Sequence, residues 1–209
     1  DYDAFGRPYS QQVANLPINY TDYQWAIDVN APINSIMAIE VTQSGSPTSK
    51  QYFDLAGKVI KTSQQGFNGS YNHQLIRYNA RGLKTFESTP YSDTMPDSNA
   101  IGRTWSNFDA LGRAQTSRQA TSTDWRDTTY TYSGFTTTIS TDGLTMSRQY
   151  NSLNWLMRTS DALGGVTRYA YDGAGNPIAI EAIASLANNV IYAKYDSLSR
   201  KVWVEDPNQ

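Results

Sequence analysis

Residues 108–113 read Phe-Asp-Ala-Leu-Gly-Arg: an aromatic residue, an acidic residue, two variable residues, a glycine and a basic residue. The pattern recurs along the chain in seven copies: Tyr2–Arg7, Phe53–Lys58, Tyr78–Leu83, Phe108–Arg113, Tyr150–Trp155, Tyr171–Asn176 and Tyr195–Arg200. All seven copies keep the aromatic residue and an Asp or Asn, five keep the glycine, and four keep the basic residue. Such internal repetition indicates a repeat architecture, in which each unit packs on its neighbours.

This hexapeptide has the composition of a tight turn. A type I turn favours Asp or Asn at its first position, where the side chain accepts a backbone N–H, and glycine at its fourth. Short apolar and aromatic runs flank the copies, such as Val166–Tyr171 and Val202–Val204. Turn signals of a second kind lie between the copies, at Asp142-Gly143, Asp161–Gly164 and Asp206–Asn208. The spacing predicts an antiparallel meander of short strands, two per repeat.

The distances between copies indicate two further, degenerate repeats. Successive aromatic residues are 51, 25, 30, 42, 21 and 24 residues apart, so the two long gaps are close to twice the shorter ones. Tyr132-Ser133-Gly134 is the candidate for one hidden copy. Ser199 occupies the glycine position of the last copy, and we expect that turn to be strained or of another type.

The regularity of the pattern divides the chain in two. Residues 1–50 are predicted to form a less regular β segment with one hexapeptide at its start, and residues 51–209 to form tandem β-hairpin repeats. Ile33–Val41 has the composition of a buried strand, and Ile183–Ala187 could form one helical turn at most. The predicted fold class is all-β, with tandem antiparallel β-hairpins that form a curved or spiralling sheet strip.

Composition excludes several classes of function. Charged residues make up only 17% of the 209, and the chain carries 15 Tyr, 6 Phe and 5 Trp, which suits half-buried strands. A net charge of −2 offers no long-range attraction to nucleic acid or to an anionic membrane. No apolar run approaches the ~20 residues of a membrane-spanning helix. The absence of cysteine excludes disulfides, thiol catalysis and cysteine-based zinc sites.

The aromatic-Asp-x-x-Gly-Arg hexapeptide, at a spacing of about 21 residues, resembles the repeat of the RHS/YD-repeat family. The copies at Tyr2–Arg7 and Phe108–Arg113 and the run Arg168–Asn176 carry the resemblance, which extends over most of residues 52–208. It implies a sheet strip that spirals into a hollow shell, as in bacterial toxin-complex and SpvB-associated proteins and in animal teneurins. The autoproteolytic core motif of the family, with paired Asp residues and a Pro-containing cleavage site, has no match here.

This resemblance also implies a function. We expect a structural segment of a shell that encloses or presents a toxin polypeptide, in a secreted or cell-surface bacterial protein, and no enzymatic activity. The implied partners are the rest of a longer polypeptide or another shell component, together with the enclosed toxin. Because a strip of hairpins exposes unpaired backbone at its ends, self-association through open sheet edges is also expected.

Catalytic, metal and ligand sites have less support in the sequence than the repeat structure has. The single histidine, His73, has no Ser, Cys or paired-carboxylate pattern beside it. The repeated Asp residues are explained by turns, and Asp172–Asn176 lacks the alternating oxygen ligands of a calcium loop. We therefore predict no catalytic residue, no cofactor and no metal. Trp125 and Trp155 are the candidate ligand or partner contacts, and a carbohydrate- or receptor-binding surface module is the alternative function.

Overall fold

The structure is a computed structural model that describes residues 1–13, 16–183 and 188–207. This part of the chain forms 18 strands and one short 3-10 helix, and it contains no α-helix. Contacts divide the chain into unit 1, residues 1–106 and 119–124, and unit 2, residues 107–118 and 125–209. The predicted fold class, all-β with tandem antiparallel hairpins, is confirmed. Of the helical turn considered at Ile183–Ala187, Ile183 belongs to a strand and residues 184–187 lie outside the described residues, as does the last residue of the Asp206–Asn208 turn.

Unit 1 is built from strands that pair antiparallel with their neighbours in the chain. In order they are β1 (Ser10–Gln11), β2 (Asn19–Trp25), β3 (Met37–Gln43), β4 (Ser46–Phe53), β5 (Val59–Gln65), β6 (Tyr71–Tyr78), β7 (Lys84–Ser88), β8 (Tyr91–Ser92) and β9 (Gly102–Phe108). The last two residues of β9 belong to unit 2. Strands β1 to β7 pair in sequence order, β8 adds to β6, and β9 pairs with β7. The 3-10 helix, Asp97–Asn99, lies between β8 and β9.

Unit 2 continues the same construction. Its strands are β10 (Ala114–Ala120), β11 (Trp125–Ser133), β12 (Thr136–Thr141), β13 (Leu144–Tyr150), β14 (Leu156–Ser160), β15 (Val166–Tyr171), β16 (Pro177–Ile183), β17 (Asn188–Tyr195) and β18 (Lys201–Glu205). The last two residues of β10 belong to unit 1. From β11 to β18, each strand pairs antiparallel with the next.

The strand predicted from Ile33 begins later in the structure. Strand β3 starts at Met37, and Ile33 is 89% exposed. Asn34 has a positive φ of 70°, and the Ser35 amide donates to the Pro32 carbonyl at 3.1 Å, so residues 32–35 form a turn. Asn tolerates this left-handed conformation, and the turn keeps Ile33 out of the sheet.

All the buried hydrophobic residues of the described chain lie in unit 1. They form two small clusters: Ala38, Tyr52 and Ile60 in one, and Leu75, Phe86 and Tyr91 in the other. The only buried residue described in unit 2 is a polar one, Ser117. Unit 2 is therefore a sheet without a hydrophobic core of its own in the described residues. A sheet needs a second layer to bury its apolar side, and unit 2 supplies none of its own.

The strand register gives unit 2 two chemically different faces. Residues directly opposite one another lie on the same face of a sheet, and successive residues alternate. One cross-strand row on β11–β13 consists of Tyr130, Ile139 and Met146, and a row on β15–β17 consists of Tyr169, Ile180 and Ile191. A third row, Tyr132-Thr137-Arg148-Thr159-Thr167, connects these two rows. Tyr132 lies two residues from Tyr130 and Thr167 two residues from Tyr169, so all three rows are on the same side of the sheet. We call this side the apolar face.

On the other side of the same strands, hydroxyl-bearing residues predominate. The rows there are Thr129-Ser140-Thr145 and Thr131-Thr138-Ser147, which define the polar face. Ser147 continues this row to Ser160 on β14, and the two hydroxyls hydrogen-bond at 2.8 Å. Over β11–β14 the aliphatic and aromatic side chains therefore lie on one side, next to a row that contains Thr137, Arg148 and Thr159, and the other side is hydroxyl-rich.

Candidate functional site

The hexapeptide forms the same turn in every copy. In Phe108–Arg113 the Gly112 amide donates to the Asp109 carbonyl at 3.1 Å, and Gly112 has a φ of 80°. The Asp109 side chain accepts from the Arg113 amide at 2.9 Å and from Arg113 Nε at 2.7 Å. The Arg113 amide and guanidinium therefore hold the pKa of Asp109 below its usual value. The corresponding turn hydrogen bond is present in all seven copies, between 2.8 and 3.1 Å.

Two turns differ from the sequence prediction. Asp161–Gly164 was predicted as a turn of a second kind, yet it repeats the hexapeptide geometry: Oδ1 of Asp161 accepts the amides of Leu163 and Gly165 at 2.9 and 2.8 Å. The last copy keeps the common turn although Ser199 replaces glycine, and Ser199 takes a φ of 60°. A serine in this left-handed region is strained, so the first of the two expectations for this copy is met.

The sixth residue of a hexapeptide packs on a tyrosine of the following repeat. The guanidinium of Arg113 lies 4.1 Å from the centroid of the Tyr132 ring, and the Tyr132 hydroxyl donates to the Ala114 carbonyl at 2.8 Å. Three more pairs have this arrangement: Arg7 on Tyr23 at 4.3 Å, Lys58 on Tyr78 at 4.6 Å, and Trp155 against Tyr171 at 5.3 Å. We call these four contacts the inter-hairpin stack. It combines cation–π or aromatic attraction with burial of long side-chain stems.

The stack locates the degenerate repeats that the long sequence gaps indicated. Tyr132 takes the tyrosine place, and Gly134 follows it with a φ of 55°, which supports the predicted copy at Tyr132-Ser133-Gly134. Tyr23 takes the same place in the first long gap, and its hydroxyl donates to the Pro8 carbonyl at 3.3 Å. The turn sequence has been lost after Tyr23, so the aromatic partner is the part of the repeat that remains recognisable there.

The two candidate ligand contacts lie far apart in unit 2. Trp125 is 49% exposed at the start of β11, and Trp155 directly precedes β14. The register places the start of β11 beside Leu144 at the start of β13, whereas Trp155 follows the turn at the other end of β13. Trp155 is half-buried against Tyr171, and a Cβ on Gly175 would come within 2.9 Å of its indole. The two tryptophans therefore do not form one stacking platform.

A network of buried polar side chains in unit 1 was not indicated by the sequence. The Lys61 ammonium, on a side chain that is 3% exposed, donates to Asp97 Oδ1 at 2.8 Å and to the Asn30 carbonyl at 2.9 Å. The Tyr91 hydroxyl donates to the same Asp97 oxygen at 2.7 Å. Burial, and then this hydrogen bond, raise the pKa of Tyr91 above its usual value. The partners of Lys61 are 31 and 36 residues away, so no local motif could have predicted them.

A second network lies beside the first in unit 1. The Asp28 carboxylate accepts from Lys50 at 2.6 Å and from the Tyr52 hydroxyl at 2.9 Å. Burial acts to raise the pKa of Asp28, but the hydrogen bonds from Lys50 and Tyr52 outweigh it and lower the pKa. Burial and the bond to Asp28 raise the pKa of Tyr52. Both networks fasten the long loop between β2 and β3 onto strands β4 and β5.

His73, for which the sequence indicated no catalytic role, is also buried. It lies on β6 with 2% of its surface exposed, and its Nδ1 is 2.7 Å from the Ser63 hydroxyl. Its ring stacks on Tyr71 and tilts against Tyr91, with centroids 6.4 and 5.6 Å apart. Nε2 has no hydrogen-bond partner among the described residues. Burial lowers the pKa of His73, and the Lys61 cation lowers it further.

The described residues contain neither a group of metal-ligating side chains nor a membrane-spanning helix. Within that part of the chain, no three His, Asp or Glu side chains are grouped so that they could hold a metal ion. No helix in the same part is long and apolar enough to span a membrane.

Comparison with known proteins assigns the repeat. Residues 150–182, which include the hexapeptides beginning at Tyr150 and Tyr171 and the turn at Asp161, match the family model described as RHS Repeat. Residues 150–182 are thus similar in sequence to the RHS repeat. No curated protein sequence matches the chain.

One solved structure resembles the chain in fold: TcdB2-TccC3-TEV is similar at a TM-score of 0.51 and 13% identity, over 99% of this chain and 10% of that chain. A mutant of the Photorhabdus luminescens Tc holotoxin pore is similar at a TM-score of 0.34 and 13% identity, over 99% of this chain and 15% of that one. The chain spans about a tenth of the length of the first structure.

Proposed function

We propose that the chain is a wall segment of an RHS-repeat shell that encloses or presents a toxin polypeptide, in a secreted or cell-surface bacterial protein. The observation that carries the proposal is the two-sided sheet of unit 2. A wall between a passenger chain and water needs one side that contacts polypeptide and one that stays hydrated. The apolar face and the polar face of β11–β14 have those two characters.

The inter-hairpin stack supports the same structural role. Each of the four contacts joins a turn to a tyrosine 16 to 20 residues further along the chain, so stiffness is distributed along the repeat. In this proposal the partners are the rest of a longer polypeptide or another shell component, which would cover the sheet edges, and the enclosed polypeptide. Residues 1–50 would be the less regular end of the segment and residues 51–209 the tandem hairpins.

Site-specific cross-linking in the longer protein tests the proposal. The photoreactive residue p-benzoylphenylalanine would be placed at Tyr130 on the apolar face and, in a matched variant, at Thr129 on the polar face. We expect Tyr130 to capture the enclosed polypeptide and Thr129 to capture none of it, as read by mass spectrometry of the cross-linked peptides. Equal capture from both positions, or capture from Thr129 alone, would contradict the assignment of the faces.

A carbohydrate- or receptor-binding surface is the second candidate function, and the exposure of Trp125 favours it. A glycan array would test it with Trp125→Ala and Trp155→Ala side by side. Binding that is lost in Trp125→Ala and retained in Trp155→Ala would support a site at the start of β11. Absence of binding by the unsubstituted chain would remove this candidate.

A further inference from the structure

Two arginines lie directly opposite each other on the polar face of unit 2. Arg158 on β14 pairs with Arg168 on β15 in the antiparallel register. Arg158 is two residues from Ser160, a member of the hydroxyl rows, so both arginines are on the polar face. The Cβ atoms of directly opposite residues are about 5 Å apart, and like charges at such positions destabilise a sheet. An anion between the two guanidinium groups would remove this repulsion.

The neighbouring side chains compensate only part of the charge of this pair. Arg168 contacts Glu181 on β16 through one N–O distance of 3.3 Å, and its side chain is 59% exposed, so this ion pair is weak. None of the ion pairs described in unit 2 includes Arg158, and the residue opposite it on β13 is the uncharged Gln149. Two cations and one anion therefore lie side by side on β14–β16.

Two guanidinium groups at this separation suit a phosphate group. Each guanidinium presents its N–H donors as a planar fork, and one fork can engage both oxygens of a carboxylate. A phosphate monoester has three acceptor oxygens, so it can bond the forks of Arg158 and Arg168 at the same time. The side-chain amide of Gln149, beside Arg158, is a further hydrogen-bond donor. A long polyanion fits less well, because the whole chain has a net charge of −2.

From this arrangement we propose that Arg158 and Arg168 together bind a single phosphate monoester on the polar face of unit 2. The site depends only on the register of β14 and β15. It therefore goes beyond the proposed wall function and does not require it. A sugar phosphate and a phosphopeptide present the same group to this site.

The test titrates the chain with inorganic phosphate at constant ionic strength and follows the arginine Nε–H resonances by ¹H–¹⁵N NMR. We expect saturable shifts for Arg158 and Arg168, and smaller shifts with acetate or chloride. Arg158→Gln removes one fork and should weaken phosphate binding at least about tenfold, as expected for the loss of charge-assisted hydrogen bonds.

Arg148→Gln is the matched control. Arg148 is also an exposed arginine of unit 2, but it lies on the apolar face, where Thr137 and Thr159 are its opposite neighbours. This variant should bind phosphate as tightly as the unsubstituted chain. Glucose 6-phosphate and a phosphoserine peptide, titrated in the same way, distinguish a sugar carrier from a peptide carrier by the tighter binding.

Thermal unfolding gives a second readout. Phosphate should raise the unfolding midpoint of the unsubstituted chain more than chloride does at the same ionic strength, because it binds the folded state, and Arg158→Gln should lose this difference. Equal responses to phosphate and chloride would show charge screening alone and would overturn the proposal. Unchanged phosphate binding in Arg158→Gln, or an equal loss of binding in Arg148→Gln, would overturn it as well.

Discussion

The guanidinium of Arg113, at the end of its turn, lies 4.1 Å from the centre of the ring of Tyr132, 19 residues further along in strand β11. The same guanidinium bonds Asp109 within its own turn at 2.7 Å. Arg113 thus both closes one turn and contacts the next repeat. Trp155 takes the second of these roles without a charge, since its ring packs against Tyr171.

The first prediction follows from this equivalence. Trp155→Ala removes the aromatic contact with Tyr171 and should lower the free energy of unfolding by about 1–2 kcal/mol. Trp155→Arg introduces a basic residue, as in the other three contacts of the inter-hairpin stack, and should recover at least half of that loss. Urea denaturation of both variants measures the difference. Equal destabilisation by Ala and Arg would contradict a shared role for the sixth position.

The second prediction concerns strain at Ser199. Ser199→Gly should raise the free energy of unfolding by about 0.5–1 kcal/mol, because glycine adopts the observed φ of 60° without steric cost. Ser197→Gly is the matched control two residues earlier in the same turn, where the structure records no positive φ. That substitution should be neutral or destabilising. If Ser197→Gly is more stable than the unsubstituted protein, or if Ser199→Gly is less stable, strain at Ser199 is contradicted.

The third prediction distinguishes the cost of leaving a buried charge unpaired from the contribution of the ion pair to the free energy of unfolding. Asp97→Ala leaves the Lys61 ammonium, on its 3% exposed side chain, without a carboxylate and should cost about 3 kcal/mol. Lys61→Met replaces the charge by an apolar chain of similar length and should cost less than about 1 kcal/mol. Thermal and urea unfolding would measure both. The idea fails if Lys61→Met is the more damaging change.

The fourth prediction concerns pH. The pKa of His73 in the folded chain lies below its ordinary 6.5, so the unfolded chain takes up a proton first as the pH falls. The contribution of neutral His73 is therefore complete above about pH 6.5 and declines below it by about 1.4 kcal/mol per pH unit, until the folded-state pKa is reached.

Lys61, Asp97, Asp93 and Asp28 also act electrostatically on this histidine. His73→Phe should remove the part of the pH dependence of stability that begins just below pH 6.5, and it should leave the unfolding at strongly acid pH in place. Unfolding curves collected across that range compare the two proteins. An unchanged slope in His73→Phe would assign the effect to another group.

The fifth prediction concerns association. The residues of β18 are exposed, Val204 by 48%, and we expect the chain to self-associate through sheet edges. Val204→Lys should reduce the apparent mass in light scattering at high concentration, because a charge on an edge strand opposes pairing. Thr145→Lys, on the polar face of an inner strand, is the control and should not change it. A monomeric parent chain at high concentration would refute the expectation.

Local chemistry made the turns predictable. An Asp such as Asp109 and a glycine three residues later are enough to define the hydrogen bonds that the structure contains. The start predicted for the strand Ile33–Val41 was wrong, because that prediction gave more weight to apolar composition than to the turn signal of Pro32 and Asn34. The local sequence does not distinguish Lys61 and His73 from ordinary strand residues, because the burial of these two side chains depends on loops that are distant in sequence.

The candidate sites were less predictable than the fold. Trp155 was singled out for its aromatic ring, and only the three-dimensional structure reveals that Tyr171 and Gly175 surround it. Trp125 keeps the exposure that its polar sequence neighbours indicated. Unit 1 also contains a cavity lined in part by His73, and no sequence signal indicated it because its walls come from four separate segments, residues 29–34, 54–61, 73–82 and 93–98.

The inter-hairpin stack has a consequence for how such a gene changes over time. Each contact extends only from one repeat to the next, as from Lys58 to Tyr78. Duplication or loss of a whole module would therefore leave every other junction intact, and the protein could grow or shorten by unequal recombination without redesign of its interior. Insertions inside a module would break a junction, so length variation among descendants should occur in whole steps.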